Sequence, residues 1–246
     1  MNDVAALELN ADLGEMMDDG RTDALLMPWI QRANIACGGH AGDGDSMRAA
    51  LRLAAAHRVR AGAHPSYPDR EGFGRRACSL PQADVIASVL EQVSALVAEA
   101  SALTIELDHI KPHGALYNQA AKDPGLAEAL VAALKAHFPN QALLGLAGSA
   151  MAESCARQGY RFLAEAFLDR AYGADGQLRP RTLPGAVLTL DAALAQAAQL
   201  RQGWLVSSDG QRLDIQADSY CVHGDGAEAL PLLKALYEAG YASPRL

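Results

Sequence analysis

Ionisable side chains directly follow several short apolar runs in the sequence, and most of them stand beside glycine or proline. Asp12 and Glu15 follow the first run, His40 follows the second, and His64 follows the third. Later runs are followed by residues of the same kind: Lys111, His113, Glu165, Asp169 and Arg170. Because the carboxyl ends of parallel strands meet on one face of an α/β fold, we expect these side chains to converge on one site.

Two kinds of chemistry fit such a site. In the first, Asp12 and histidines from different strand ends bind a divalent metal that activates water for amide or ester hydrolysis. The candidate histidines are His40, His64 and His113. In the second, a carboxylate acts as general base, histidines polarise a carbonyl, and cations bind a carboxylate or phosphate. The candidate cations are Lys111, Arg170 and Arg181.

Each of these motifs also has a purely structural interpretation. Asp12 and Glu15 have the spacing of a helix capping box, and Asp43 is placed to cap a helix. His57 lies at the end of a helical pattern, and Cys37 has no base at a defined spacing, so we expect structural roles for both. The capping interpretation does not explain the whole set, because four consecutive strand ends carry Asp or His together with Gly or Pro.

The elements that must position these residues alternate between short apolar runs and longer helical patterns. This alternation predicts a parallel sheet with helical crossovers, either a barrel or a doubly wound sheet. The predicted strands are Leu7–Leu13, Ala33–Cys37, Val59–Ala63, Leu107–Lys111, Ala142–Ala147, Phe162–Phe167 and Tyr220–Val222. Two weaker runs are Ala186–Leu188 and Trp204–Val206.

Start signals mark several of the predicted helices. Asp123 is an N-cap residue followed by Pro124, whose missing N–H costs nothing in the first turn. Ser149 begins another helix, and Asp191 begins a third. Residues 79–82 have capping-box spacing directly before an apolar stripe with helical periodicity. No linker or internal repeat interrupts the pattern, so we expect residues 1–246 to form one domain.

The composition narrows the classes of function. The chain has 246 residues, of which 50% are hydrophobic, and its net charge of −8 argues against a nucleic-acid partner. No uninterrupted apolar stretch of about 18 residues is present, so we expect no membrane span. The four cysteines are widely spaced, which favours reduced thiols and a cytoplasmic location over a disulfide framework.

Six segments taken together resemble the lactam-utilisation (LamB/YcsF) family. The resemblance covers nearly the whole chain, from about residue 7 to residue 237, and residues 179–181 also fit a later segment of the family. The matching segments are LNADLGE (9–15), ANIACGGHAGD (33–43), GAHPSYPD (62–69), GFGR (72–75), KPHGALY (111–117) and EAFLDRAY (165–172).

The resemblance implies an irregular (β/α) TIM-like barrel of about seven parallel strands, similar to polysaccharide-deacetylase-like barrels. It also implies ATP-dependent opening of 5-oxo-L-proline to L-glutamate, in a complex with two further subunits, B and C. Since the sequence contains no G-x-x-x-x-G-K-[ST] motif, ATP does not bind through a P-loop. It would bind by other means or partly on another chain.

We assign hypothetical roles on this basis. Asp12, Glu15 or both act as base, while His40 and His64 polarise the substrate or bind a metal together with Asp12. Lys111 and His113 face phosphate or the lactam oxygen. The remaining candidates for substrate or phosphate binding are Asn10, Arg75, Tyr117, Glu165, Arg170 and Arg181. Two alternatives stay open: a metal-dependent amidase or deacetylase that needs no ATP, and a subunit that presents substrate without catalysis.

Overall fold

Seven parallel strands close into a barrel in their order along the chain, with the last strand paired to the first. The computed structural model describes residues 6–16, 20–224, 226 and 228–242. The barrel strands are β1 (Leu9–Leu13), β2 (Arg32–Ala36), β3 (Arg60–His64), β4 (His109–Ile110), β5 (Ala142–Leu146), β6 (Phe162–Phe167) and β9 (Ser219–Cys221). All seven are predicted by the sequence, and the predicted α/β barrel is confirmed.

Helices surround the barrel and connect its strands. They are α1 (Arg21–Leu26), α2 (Gly44–Ala56), α3 (Gln82–Ala102), α4 (Gly114–Lys122), α5 (Pro124–His137), α6 (Ala150–Gln158), α7 (Leu190–Leu200) and α8 (Ala229–Glu238). Asp123 caps α5, because its carboxylate accepts the backbone N–H groups of Gly125 and Leu126. Ser149 caps α6 in the same way, so both of these predicted helix starts are confirmed.

Two local predictions about helix starts are wrong. Ser79 does not cap α3, which begins at Gln82 with Pro81 as its N-cap residue. The N-cap of α7 is Thr189, two residues before the predicted Asp191. The alternative interpretation of Asp12 and Glu15 as a capping box does not apply, because both side chains are buried and bind Asn34 and His40 instead. Propensity at a helix start is a weak signal that packing can override.

The two weaker runs differ in outcome. Trp204–Val206 is a strand, β7, and it pairs antiparallel with β8 (Arg212–Asp214) in a separate two-stranded sheet outside the barrel. Ala186–Leu188 does not form a strand, since only Val187 makes an isolated bridge, with Arg170. This run therefore belongs to the long connection between β6 and α7, which reaches the open end of the barrel.

Polar side chains fill part of the barrel interior. Asn34 Nδ2 donates to Asn10 Oδ1 at 2.9 Å and to Asp12 Oδ1 at 2.8 Å, and Asn34 Oδ1 accepts from His109 Nε2 at 2.7 Å. All four side chains are buried, so their hydrogen bonds must be satisfied within the protein. A Cβ atom at Gly62 would stand 2.4 Å from the His109 ring, so glycine is required there.

Among the residues that the structure describes, one helix meets the length and composition criterion for a membrane span. An 18-residue window of α3 has a mean hydropathy of 1.4. The core helices of soluble proteins pass the same test, and Val89, Val93 and Leu96 of α3 are buried against the rest of the protein. The helix is therefore weak evidence for a membrane span, and the expectation that the chain has none stays a prediction.

Candidate active site

Lys111 lies at the centre of a buried ionic network inside the barrel. Its ammonium is 2.9 Å from Asp12 Oδ1 and 2.9 Å from Glu165 Oε1. Asn10 Oδ1 lies at 3.3 Å and Cys221 Sγ at 3.2 Å. These partners come from β1, β6 and β9, so the ammonium joins three strands across the barrel. Because an ammonium has three N–H donors, Lys111 is fully engaged and holds these groups in place.

The charges of this network stabilise one another. Burial by itself raises the pKa of the Asp12 carboxyl, but His64 and Lys111 outweigh it, and that pKa lies well below its usual range. Burial by itself lowers the pKa of the Lys111 ammonium, but Asp12 and the other acidic neighbours outweigh it, and that pKa lies well above its usual value. Asp12 is therefore ionised and Lys111 protonated at neutral pH.

Glu165 links Lys111 to Tyr117. The Tyr117 hydroxyl donates a 2.7 Å hydrogen bond to Glu165 Oε2, and Glu165 is completely buried. Burial, together with the neighbouring Glu165, raises the pKa of Tyr117 well above its usual value. The phenol therefore stays neutral, and the buried Glu165 holds both Lys111 and Tyr117 in place.

A second buried cluster contains Glu15, His40, His64 and His113, the last three with their rings packed together. His40 Nε2 is 2.9 Å from Glu15 Oε1, and His64 Nε2 is 3.0 Å from His113 Nδ1. Burial lowers the pKa of His40 to about 2 and that of His113 well below its usual value. These side chains offer donor atoms within 4.8 Å of one another, so the cluster can hold a divalent metal. The sequence-based metal set contained Asp12 in place of Glu15.

Asp169 and His223 form a carboxylate–imidazole pair that the site assignment from sequence missed. Both carboxylate oxygens of Asp169 lie 3.0 Å from His223 Nδ1, and Oδ2 also accepts the His223 backbone N–H. The His223 ring stacks on Phe167 with a centroid distance of 5.3 Å. The sequence does carry a signal for His223, because it follows the last predicted barrel strand and stands beside Gly224. His40 and His64 likewise follow predicted strands and stand beside glycine or proline.

A cavity of about 640 Å³ opens where the barrel strands end. Asp12, His64, Lys111, His113 and His223 reach it from the protein interior. Around it lie several cationic side chains: Arg75, Lys122, Arg170, Arg179 and Arg181. The arrangement places anion-binding groups next to buried acids and bases, as a site for a small anionic substrate requires.

The predicted site residues fall into two sets. Those that line the cavity are Asp12, His64, Arg75, Lys111, His113, Tyr117, Arg170 and Arg181. Those that lie behind the lining, in contact with it, are Asn10, Glu15, His40 and Glu165. Arg170 has a structural contact as well, since it donates to the carbonyl oxygens of Ala186 and Arg179 and so fastens the long connection after β6.

Cys37 is buried as its predicted structural role requires, and His109 is buried as well. Cys37 is buried, and burial raises the pKa of its thiol to about 12, which leaves it protonated at neutral pH. His109 is buried in the barrel between Asn34 and Asp108. Burial also lowers the pKa of His109 well below its usual value, so the ring is neutral.

Comparison with known proteins identifies relatives over nearly the whole chain. A sequence model of the LamB/YcsF family matches residues 7–243. The crystal structure of a lactam utilization protein from Thermus thermophilus is 38% identical, covers 98% of this chain and 100% of that chain, and superposes with a TM-score of 0.87. A putative cellobiose-phosphate cleavage protein from Enterococcus faecalis is 12% identical, with 95% and 94% of the two chains covered and a TM-score of 0.55. The second likeness concerns the fold alone.

Proposed function

The chain belongs to the LamB/YcsF family, and from that premise we propose that it is the A subunit of an ATP-dependent 5-oxoprolinase. The lactam utilization protein that it resembles supports a role in lactam utilization and hydrolysis of cyclic amides. The finer proposal is that 5-oxo-L-proline is opened to L-glutamate with ATP hydrolysis. The observation that carries it is a cavity that combines cations at its rim with ionised and imidazole groups at its floor.

The chemistry of the lactam explains why both kinds of group are needed. A five-membered lactam is a stabilised amide that water attacks slowly. Transfer of the γ-phosphoryl group of ATP to the lactam oxygen releases ADP and gives an activated, imidate-like species. Water then adds to the ring carbon, and the carbon–nitrogen bond breaks to free the amine and leave an acyl phosphate. A second water hydrolyses this acyl phosphate to the carboxylate and phosphate. The site must therefore bind two anionic groups, a carboxylate and a phosphate, and must move protons to and from them.

The rim cations are suited to these anions. Arg75 and Arg181 lie on the cavity wall, and their guanidinium groups can bind a carboxylate or phosphate through paired hydrogen bonds. Lys111, in contrast, is engaged by Asp12 and Glu165. We propose that it supplies positive charge at the cavity floor without leaving these partners, and that it stabilises negative charge developing on the lactam oxygen.

His223 is better suited than Asp12 to act as general base. The Asp12 carboxylate has a strongly lowered pKa and hydrogen bonds to Asn34 and Lys111, so its affinity for a proton is small. Asp169 accepts the Nδ1–H of His223 and leaves a lone pair on Nε2 of a residue that lines the cavity. His223 would take a proton from the attacking water and give it to the ring nitrogen as that nitrogen leaves.

Partner subunits complete the proposal. The described part of the chain contains no P-loop, so we propose that subunits B and C supply all or part of the ATP site. We also propose that the complex works in the cytoplasm, where its free thiols remain reduced.

The test is an assay of glutamate and ADP formation by the chain with and without subunits B and C. We expect turnover that requires ATP and all three subunits, and loss of most of it in Asp12→Asn. His57→Gln, which changes an exposed histidine at the end of α2, is the matched control and keeps full activity. Turnover without ATP would favour the metal-dependent amidase instead. Full turnover in Asp12→Asn would favour a subunit that only presents substrate.

A further inference from the structure

Three potential ligand atoms at the cavity floor have the spacing of a metal site. His64 Nε2 is 3.0 Å from His113 Nδ1, Glu15 Oε1 is 3.5 Å from His113 Nδ1, and Glu15 Oε1 is 3.7 Å from His64 Nε2. Ligands that bind zinc at about 2.0–2.1 Å in tetrahedral geometry stand about 3.3 Å from one another. The three atoms therefore form one triangular face around a common centre.

The protons of the two imidazoles point away from that centre. His64 Nδ1 lies 2.7 Å from the backbone oxygen of Lys111, and His113 Nε2 lies 3.0 Å from the backbone oxygen of Phe73. A carbonyl oxygen only accepts hydrogen bonds, so each ring directs an N–H at that oxygen. The two nitrogens that face each other are then the ring atoms left to present lone pairs to a metal, with the Glu15 carboxylate beside them. Three acceptors this close repel one another unless a cation lies among them.

His40 has a different position in the cluster. Its ring is stacked on His113, with a centroid distance of 3.7 Å and an angle of 6° between the planes. An imidazole binds a metal along the lone pair in its own plane, and a cation in the plane of His113 lies outside the parallel plane of His40. Nε2 of His40 is instead 2.9 Å from Glu15 Oε1, where it can donate and fix the carboxylate.

We propose that Glu15, His64 and His113 form a site for one divalent cation of the zinc class, and that His40 positions Glu15. Two histidines and one glutamate are a ligand set that leaves a position open. That position faces the substrate cavity, because His64 and His113 line it together with Asp12. A cation bound there would act as a Lewis acid toward a lactam or phosphoryl oxygen. This inference does not rest on the proposed ATP-dependent function.

The test measures metal binding without substrate, ATP or partner subunits. Untagged chain is dialysed against a chelator and then titrated with Zn²⁺ and, separately, Co²⁺, with metal content, calorimetry and the visible spectrum of cobalt as readouts. We expect one equivalent of metal to bind per chain. The visible spectrum of the bound cobalt should be that of an ion with a low coordination number. Substitutions His64→Gln and His113→Gln should each weaken binding at least about 100-fold. His57→Gln should bind as the unchanged chain does.

His40 gives a separate prediction that a ligand role would not produce. In His40→Phe, which loses the donor to Glu15, we expect one equivalent still to bind, with affinity reduced about 10- to 100-fold. His40→Gln, which keeps a donor, should restore most of that affinity. A structural defect alone would lower the melting temperature of the metal-free chain in both variants without this rescue.

Two results would overturn the metal site. The first is that the unchanged chain binds less than about 0.1 equivalent of either metal. A proton shared between His64 and His113 would then explain the short distance between their nitrogens. The other is equal binding in the unchanged chain, His64→Gln and His113→Gln, which would place the metal elsewhere.

Since a ligand variant could fail to fold, its melting temperature is measured with and without Zn²⁺. A folded variant without a metal-induced rise supports the site, and a full rise contradicts it. Failure of the ring-opening assay leaves these outcomes unchanged.

Discussion

Both carboxylate oxygens of Asp169 lie 3.0 Å from Nδ1 of His223, although the two residues are 54 positions apart in the chain. The closure of the barrel brings them together, because β6 pairs directly with β9 and each residue follows one of these strands. Asp169 fixes both the orientation and the tautomer of the ring, since it also accepts the His223 backbone N–H. The pair therefore presents an oriented imidazole to the cavity.

The first prediction concerns this imidazole. His223→Gln removes the proton acceptor that we assign to the attacking water, so kcat for ring opening should fall by about 10²- to 10⁴-fold. Asp169→Asn should lower kcat in the same direction but less, because the ring remains while its orientation is lost. The measurement is steady-state glutamate formation with saturating ATP and subunits B and C. Unchanged kcat in His223→Gln would exclude the general-base role.

The second prediction concerns the pH dependence of stability. Burial raises the pKa of the Asp169 carboxyl, but His223 outweighs it, and the pKa lies below its ordinary value. A lowered pKa in the folded state stabilises the fold above the unfolded pKa of about 3.9, and this contribution is lost as the pH falls through the folded value. Urea unfolding should thus show Asp169→Asn to be less stable than the unchanged chain at pH 6, with a difference that shrinks below about pH 4. A constant difference from pH 6 to pH 3 would contradict this assignment.

The convergence of Asp12, His40 and His64 was predictable from sequence because it needs only one rule. Parallel strands carry the residues at their carboxyl ends to one face, whatever the order of the strands. The same rule extends to His223, which follows the shortest of the predicted strands. The identity of its partner, Asp169, was not predictable, because it depends on the strand that closes the barrel.

The contacts inside the barrel were beyond sequence reasoning for a different reason. Lys111 was predicted to face phosphate or the lactam oxygen, but the sequence does not show that Asp12 and Glu165 engage its ammonium. Which side chains meet across a barrel depends on the stagger of its strands, and the sequence does not show that stagger. The same limit applies to Glu15, which follows β1 like Asp12 but joins the histidine cluster instead of the lysine network.

The third prediction tests the lysine network by removing its cation. Lys111→Met leaves Asp12 and Glu165 buried without the charge that compensates them, so the free energy of unfolding should fall by about 3–5 kcal/mol. Adding Glu165→Gln should restore part of the loss, because one of the uncompensated charges is then absent. Urea denaturation of the single and double variants gives both values. A loss below about 1 kcal/mol in Lys111→Met would show that the ammonium is not needed for stability.

The fourth prediction separates the cysteines by reactivity. Cys37, Cys155 and Cys221 are buried, and burial raises the pKa of each thiol, to about 12 for Cys37 and Cys155. The thiolate is the reactive form, so these three thiols should resist iodoacetamide in the folded protein at pH 8. Cys78 is only half-buried and should be alkylated first. Peptide mass spectrometry after timed labelling gives the order, and rapid labelling of Cys37 would contradict its structural role.

The fifth prediction concerns anion binding at the cavity rim. Arg181 lines the cavity close to Arg170. Burial, and then the positive charge of Arg181, lower the pKa of Arg170 to about 10, so positive charge is concentrated at the cavity rim. Arg181→Ala removes a charge-assisted contact worth about 1.5–3 kcal/mol, so KM for the anionic substrate should rise about 10- to 100-fold, with a smaller change in kcat. The matched control is Arg52→Ala, which makes the same charge change on the exposed face of α2 and should leave KM unaltered. If both variants raise KM equally, the effect comes from net charge alone, and Arg181 does not bind the substrate.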